Sequence, residues 1–231
     1  MSEHNEGWMI NENDPARHEI VARATALGIR GTPDQAAHAL GPITLADGRT
    51  VQAHVVHAVD AIITDGDSIV MINRKNEPGK GKPALPGGFM DPLQHGKVES
   101  AVQAAAREAM EEAGIALGEG RLIGTRNMDR PYDVRVAKND LPQYGIAQGD
   151  IFMVSTQAVR FDVPDLAATQ LVAGDDAIPG TARRIEREAI TKDSVGIPDH
   201  FDMIEAAFQP ARADGKPWAG ALGSPSAIRD R

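Results

Sequence analysis

The stretch that most restricts the fold of this chain is residues 99–115, which read ESAVQAAAREAMEEAGI. Its apolar residues recur at helical spacing and predict a helix with one packed face. That face is formed by Val102, Ala105, Ala106, Ala109, Met110 and Ala113. Glu111 and Glu112 follow Glu108 by three and four positions, so the helix brings three carboxylates together on its other side. Like charges at this spacing cost an isolated helix roughly 0.2–0.5 kcal/mol, and a divalent cation is the simplest group that offsets this cost.

The same stretch resembles the Nudix box, a motif in which glycine, glutamate and arginine recur at fixed spacing. Glu99 matches the first glutamate of that motif. Arg107-Glu108 and Glu111-Glu112 match its Arg-Glu and Glu-Glu pairs, and Gly114-Ile115 closes it. Upstream, Leu85-Pro86-Gly87-Gly88-Phe89 matches the loop that precedes the box in this family.

The spacing before the box departs from the family pattern. Ten residues separate Gly88 from Glu99, where the family has five, and the simplest interpretation is a five-residue insertion within residues 92–97. Two other interpretations stay open: a helix with a solvated acidic face, or a Nudix fold that has lost catalysis. The register of Glu99, Arg107 and Gly114 with the two upstream glycines favours the intact box.

Composition excludes several classes of function. The net charge is −9 and no run of Lys and Arg stands out, which argues against nonspecific binding to nucleic acid. The absence of cysteine excludes disulfides, thiolate nucleophiles and cysteine-based zinc sites. No apolar run approaches the roughly 18–20 residues of a membrane span, and the N-terminus has no signal-peptide pattern. We therefore expect a cytoplasmic protein with no nucleic-acid or membrane partner.

Residues 1–52 are interpreted as an N-terminal extension of helices and a β-hairpin. A helix is predicted over residues 15–27, with Asp14 as its N-cap and Pro15 at its first position. A second short helix is predicted over residues 32–40. A hairpin with Asp47-Gly48 in its turn follows and runs to residue 57. Such an extension favours a homodimer interface, and a simple cap on the sheet edge is the alternative.

Residues 53–208 are interpreted as the Nudix domain, and residues 209–231, rich in Ala, Gly, Pro and Ser, as a C-terminal tail. Besides the box helix, strands and a late helix are predicted. The strands cover residues 56–64, 68–74, 121–129, 134–137 and 150–161, and the helix covers residues 199–208. This order fits the α/β/α sandwich with a mixed β-sheet that the resemblance implies.

The resemblance also implies water attack on a phosphorus of a pyrophosphate, assisted by Mg²⁺ or Mn²⁺. Glu108 and Glu112 are then the first metal ligands, one helical turn apart. Glu111 shares a metal or lies behind the ligands, and the Gly87 carbonyl is a further ligand by family analogy. Arg107 orients a box glutamate through a charge-assisted hydrogen bond.

The role of Glu99 and the identity of the general base each have more than one interpretation. Glu99 pairs with Arg107, binds metal or caps the helix N-terminus. Many family members take the general base from a loop after the box, so Asp175 and Asp176 join Glu111 and Arg107 as candidate catalytic residues. Further base candidates are Glu186 and Glu188, and a solvated turn is the alternative for Asp175-Asp176.

The substrate class rests on weaker features. Pro131 lies sixteen positions after Ile115, a spacing seen in ADP-ribose pyrophosphatases, and Asp199-His200 at the start of the last helix also recurs there. Candidate substrate contacts are Gly88 in the glycine loop and, around Pro131, the side chains of Arg130, Tyr132 and Arg135. ADP-ribose is favoured. A nucleoside triphosphate or dinucleoside polyphosphate is the alternative, and a non-catalytic ADP-ribose-sensing regulator is less favoured because no basic DNA-binding domain is evident.

Overall fold

The computed structural model describes residue 10 and residues 14–26, 33–77, 79–93, 98–126, 134–172, 174, 177–209 and 218–222. The helices are α1 (Pro15–Ala26), α2 (Ala101–Ala113) and α3 (Pro198–Ala207). The strands are β1 (Ala37–Thr44), β2 (Thr50–Thr64), β3 (Ser68–Asn73), β4 (Pro83–Ala84), β5 (Gly87–Phe89), β6 (Arg121–Arg126), β7 (Val134–Val136), β8 (Ile151–Asp162), β9 (Arg183–Glu186) and β10 (Trp218–Leu222).

The chain divides into two compact units. The first comprises Met1–His57, Met90–Glu99 and Asn127–Ser155. The second comprises Ala58–Phe89, Ser100–Arg126 and Thr156–Arg231. Strands β2 and β8 contribute residues to both units. The predicted boundary between residues 52 and 53 falls within the continuous strand β2.

In the first unit, β1 pairs antiparallel with the beginning of β2, and β7 pairs antiparallel with the beginning of β8. The predicted hairpin turn is confirmed, since the Leu45 N–H donates to Arg49 O and Gly48 has a φ of 86°. The Asp14 carboxylate accepts a 2.9 Å hydrogen bond from the Ala16 N–H at the start of α1, as predicted for a cap.

The predicted second helix is wrong over the residues that the structure describes. Ala37–Leu40 instead begin β1 and continue its ladder with β2. Leu40 and Ile43 are buried in one apolar cluster with Ile20 and Ala24 of α1. The alanine-rich composition favoured a helix locally, but strand pairing and burial outweigh so small a propensity difference.

In the second unit the strand order is β10-β6-β8-β2-β3-β4, with β5 paired to β2 and β9 paired to β3. The β10–β6 pair is parallel, whereas β6–β8, β2–β3, β2–β5 and β3–β9 are antiparallel. The predicted α/β class with a mixed sheet is therefore confirmed. Helix α3 packs its Met203 and Ile204 into a core that includes Ile62, Leu85 and Ile123.

The predicted C-terminal tail contains a strand. Trp218–Leu222 form β10, which pairs with β6 and so covers an edge that would otherwise leave backbone groups unpaired. Helix α3 contacts both β6 and β10, and it lies between β8 and β10 along the chain. A parallel pair needs such a crossover connection. Alanine and glycine in this segment gave no strand pattern.

None of the described helices is long and apolar enough to cross a membrane.

Candidate active site

Helix α2 has well-defined ends. The Ser100 side chain accepts a hydrogen bond from the Gln103 N–H, and the Gln103 side chain accepts one from the Ser100 N–H. This reciprocal pair is a capping box, and its Ser-x-x-Gln pattern was readable from the sequence. The helix ends at Gly114, which has a φ of 71°. Ser100 thus fills the N-cap that was one predicted role of Glu99, and Glu99 instead accepts a 2.6 Å hydrogen bond from the Asp91 N–H.

The buried face of α2 matches the predicted one only in part: Ala105, Ala109 and Ala113 are buried as predicted. Glu108 and Glu112 are 8% and 4% exposed and share the buried face with alanines, whereas Met110 is 48% exposed. The predicted placement of Met110 in the packed face, on the side of the helix opposite the glutamates, is therefore wrong. Buried carboxylates require partners that satisfy their charge.

Arg107 supplies one such partner. Its guanidinium donates to Glu108 Oε1 at 2.7 Å and to Glu111 Oε2 at 3.0 Å, and its other terminal nitrogen donates to Phe89 O at 2.9 Å. Glu112 Oε2 accepts a 2.8 Å hydrogen bond from the Gly87 N–H. The predicted contact between Arg107 and a box glutamate is present. Protein groups already offset the repulsion for which we expected a cation, so the metal role of these glutamates stays a prediction.

The two glycines of β5 let backbone lie directly against carboxylates. A Cβ on Gly88 would lie 2.5 Å from Glu108 Oε1, and a Cβ on Gly87 would lie 2.5 Å from Asp60 Oδ1. Both distances are well below van der Waals contact, so neither position accepts a larger residue without displacement. The structure therefore brings Gly87 and Gly88 together with Glu108 and Glu112, as the motif predicted.

The oxygens of the site are of the chemical kind that hard divalent cations bind. Carboxylate oxygens of Glu108 and Glu112 lie beside backbone of Gly87 and Gly88, and oxygen ligands of this kind suit Mg²⁺ or Mn²⁺. Among the described residues, no group of three or more His, Asp or Glu side chains is arranged to hold a metal. Glu111 is 45% exposed and paired with Arg107, so a third carboxylate joins only if that ion pair opens.

The loop after β8 is attached to the end of α2. The Val172 N–H donates to Ala113 O, and the Gly174 N–H donates to Glu112 O. A Cβ on Gly174 would lie 1.8 Å from Glu111 O, so this contact requires glycine. Asp175 and Asp176, which follow directly in sequence, lie outside the described residues.

The other predicted residues are placed as follows. Arg130 and Tyr132 lie outside the described residues, as does Pro131. Arg135 lies in β7 of the first unit. Glu186 is in β9, where its Oε1 lies 3.3 Å from Ser68 Oγ, and Glu188 is exposed in a short 3-10 turn.

Sequence reasoning singled out His200 but missed Asp60, the acidic residue that faces it beside the glycines. Asp60 lies in β2 opposite Gly87, and its Oδ2 is 3.5 Å from Nε2 of His200 in α3. The available signal was a single aspartate within the otherwise apolar run 58–63. Acidic side chains are rarely buried without a polar neighbour. Asp60 lies close to His200 and Gly87, next to the box glutamates.

Comparison with known proteins points to the same segment. Residues 55–162 match the family model of the NUDIX domain. An ADP-ribose pyrophosphatase of Methanocaldococcus jannaschii is 41% identical over 71 residues, which make up 31% of this chain and 39% of the relative. The chain thus spans about two fifths of that relative's length.

The solved structures that resemble the chain have lower sequence identity to it. The NUDIX domain of Shewanella oneidensis NrtR, complexed with ADP ribose, covers 65% of this chain and 84% of its own at 17% identity and a TM-score of 0.43. A bifunctional NMN adenylyltransferase/ADP ribose pyrophosphatase of Francisella tularensis, complexed with AMP and a Mn ion, covers 82% and 46% at 20% identity and a TM-score of 0.42. Overlaps of this size support no inference about ligand.

The box register, the glycine loop packed on its helix and the family-model match coincide. All three features lie within residues 55–162, the segment that matches the NUDIX domain model.

Proposed function

We propose that this domain hydrolyses the pyrophosphate bond of a nucleoside diphosphate linked to another moiety, with ADP-ribose as the substrate. The observation that carries the proposal is the burial of Glu108 and Glu112 against the backbone of Gly87 and Gly88. The name of the M. jannaschii relative, an ADP-ribose pyrophosphatase, supports the substrate class.

Glu108 and Glu112 would hold the divalent cation, with Glu111 and the Gly87 carbonyl as further candidate ligands. A bound cation would neutralise the charge of the pyrophosphate and lower the pKa of a bound water. Arg107 is anchored on Phe89 O, so its guanidinium stays beside the site when a glutamate turns toward a cation. This anchor makes Arg107 a positioning group for Glu108 and Glu111.

Asp175 or Asp176 is the proposed general base. Both follow Gly174, whose N–H donates a hydrogen bond to the backbone oxygen of Glu112, one of the candidate metal ligands. A base must come within hydrogen-bond reach of the attacking water, and the bond between Gly174 and Glu112 supports this choice because it ties the chain to α2 just before the two aspartates.

A substrate panel tests the proposal. The purified protein is incubated with ADP-ribose, a nucleoside triphosphate or a dinucleoside polyphosphate, with and without Mg²⁺, and AMP and phosphate release are read. We expect Mg²⁺-dependent AMP release from ADP-ribose. Turnover of only a triphosphate or a dinucleoside polyphosphate would overturn the substrate assignment. No turnover of any compound would contradict a hydrolase and favour a ligand-binding regulator, which a gel-shift assay with duplex DNA would then test.

We also propose that the chain forms a homodimer through its first unit. Arg17, His18, Val21 and Ala22 of α1 line a cleft of about 380 Å³ that can receive side chains of a second copy. Light scattering coupled to size exclusion is expected to give twice the chain mass of 24.6 kDa, and a monomer at all concentrations would contradict the dimer.

A further inference from the structure

We infer that His200 is a positioning residue for the glycine loop at the proposed catalytic site, and this inference rests on the proposed function. His200 lies in the first turn of α3 and is 1% exposed. A buried imidazole must satisfy its ring nitrogens or lose free energy. Both of its nitrogens face groups that lie at or next to the loop of Leu85 to Gly88.

The first contact fixes the backbone at the start of the loop. Nδ1 of His200 accepts a 3.0 Å hydrogen bond from the Leu85 N–H. Because the backbone amide is the donor, Nδ1 carries no proton and the ring proton is on Nε2. Leu85 is two residues before Gly87, so His200 holds the chain just before it reaches the carboxylates.

The second contact is with Asp60 in β2, the strand that pairs with Gly87. Nε2 of His200 is 3.5 Å from Asp60 Oδ2 but makes no hydrogen bond among the described residues. Asp60 pairs with Gly87 across β2 and β5, and its carboxylate packs where a Gly87 side chain would be. A contraction of a few tenths of an ångström would close the contact, and such bonds at active sites often tighten only when the site is loaded.

The contacts form one connected path. His200 bonds Leu85 and faces Asp60, Asp60 packs on Gly87, and the Gly87 N–H donates to Glu112 at 2.8 Å. Loss of the imidazole therefore frees the backbone that aligns Glu112. Partners that orient metal ligands in this way typically change metal affinity or activity by roughly 10–100-fold when they are removed.

A purely structural role for His200 makes a different prediction. Met203, Ile204 and Ala207 dock α3 in the apolar core, so the helix has packing that does not depend on His200. If His200 served only packing, its variants would lower the melting temperature and leave the alignment of Glu112 unchanged. The two roles separate when stability and function are measured on the same variants.

Two substitutions by amide side chains separate the roles of the two ring nitrogens of His200. His200→Asn keeps an acceptor near the position of Nδ1, whereas His200→Gln keeps a donor near Nε2 and loses the acceptor for Leu85. Ile204→Val is the matched control, since it weakens the apolar packing of the same helix and leaves both ring contacts of His200 in place. Measured quantities are kcat, the substrate KM, the Mn²⁺ dissociation constant by calorimetry, and the exchange rates of the Leu85 and Gly87 amides without metal.

We expect His200→Gln to lower kcat roughly 10-fold, weaken Mn²⁺ binding and speed exchange at Leu85 and Gly87, with the substrate KM within about twofold of the unmodified protein. His200→Asn should restore most of each loss, and Ile204→Val should show none of them. Unchanged Mn²⁺ binding and amide exchange in His200→Gln would overturn the positioning role, as would equal losses in Ile204→Val. If the unmodified protein hydrolyses nothing in the panel, the proposed function fails, and Mn²⁺ binding and amide exchange still decide the role of His200.

Discussion

Two buried polar sites, one in each unit, differ in their hydrogen-bond partners. In the second unit, Glu108 and Glu112 are buried but each accepts a hydrogen bond from Arg107 or Gly87. In the first unit, His57 is 1% exposed, and neither of its ring nitrogens has a hydrogen-bond partner among the described residues. Its ring packs edge-on against the ring of His38, with 5.2 Å between the two ring centroids.

The difference shows what partners do for a buried titratable group. Burial, reinforced by the neighbouring His38 and only partly opposed by Asp34, lowers the pKa of His57 to about 4. His57 is thus held neutral near pH 7. The box glutamates Glu108 and Glu112, in contrast, have hydrogen-bond donors at their oxygens.

Removing Arg107 would make the box resemble the His57 site. Arg107→Ala leaves Glu108 buried without its guanidinium, so we expect a loss of about 3 kcal/mol in the free energy of unfolding. Urea unfolding without metal measures the loss, and Arg49→Ala, an exposed arginine in the hairpin turn, is the control. A loss no larger than that of the control would show that Arg107 does not stabilise the buried carboxylate.

Acid should destabilise the protein through His57. The unfolded residue has a pKa of 6.5 and the folded one about 4, so the unfolded state binds more protons between these values. Stability from this group is therefore present above pH 6.5 and is lost as the pH falls, by about 3 kcal/mol near pH 4. His57→Leu should flatten this part of the curve of unfolding free energy against pH. The same slope in the variant and the unmodified protein would contradict the assignment.

The glycine contact should matter for activity more than for folding. Gly88→Ala places a Cβ against Glu108 Oε1, so the carboxylate must move, and we expect kcat to fall on the order of 100-fold. Gly118→Ala is the control, because a Cβ there meets nothing within 4 Å. Activity of Gly88→Ala within twofold of Gly118→Ala would show that the position of Glu108 is not critical.

The smallest effect is expected at the helix cap. Ser100→Ala removes the acceptor for the Gln103 N–H and should cost about 1 kcal/mol of stability. Thermal unfolding measures the cost, and kcat at 25 °C should not change, since Ser100 does not touch the carboxylates. A large loss of kcat at full stability would mean that the helix start contributes directly to the site.

Sequence reasoning predicted the residues of the site better than their orientation. The register of the glycine loop with the box located Gly87, Gly88, Glu108 and Glu112 together. The buried face of α2 was misjudged because alanines occur on most sides of the helix and mark no clear stripe. Its orientation depends on donors from elsewhere, Gly87 N–H and the Phe89-anchored Arg107, which helical periodicity does not encode.

Fold predictions failed where tertiary pairing decides the outcome. The compositions of residues 37–40 and 218–222 do not predict strands. Residues 37–40 nevertheless pair with β2, and residues 218–222 pair with β6. Asp60 was missed because its importance comes from Gly87 and His200, which are distant in sequence. Local patterns identified the box helix and most long strands because these carry their own periodicity.

The central claim is that the buried, hydrogen-bonded Glu112 is a cation ligand in a pyrophosphate-cleaving site. Glu112→Gln keeps one oxygen as an acceptor for the Gly87 N–H and replaces the charged carboxylate by a neutral amide, and the exposed Glu119→Gln is the matched control. The decisive measurement is kcat for AMP release from ADP-ribose at saturating Mg²⁺. We predict a loss of roughly 100-fold or more in Glu112→Gln with an unchanged melting temperature, and none in Glu119→Gln. Full activity in Glu112→Gln would contradict the claim.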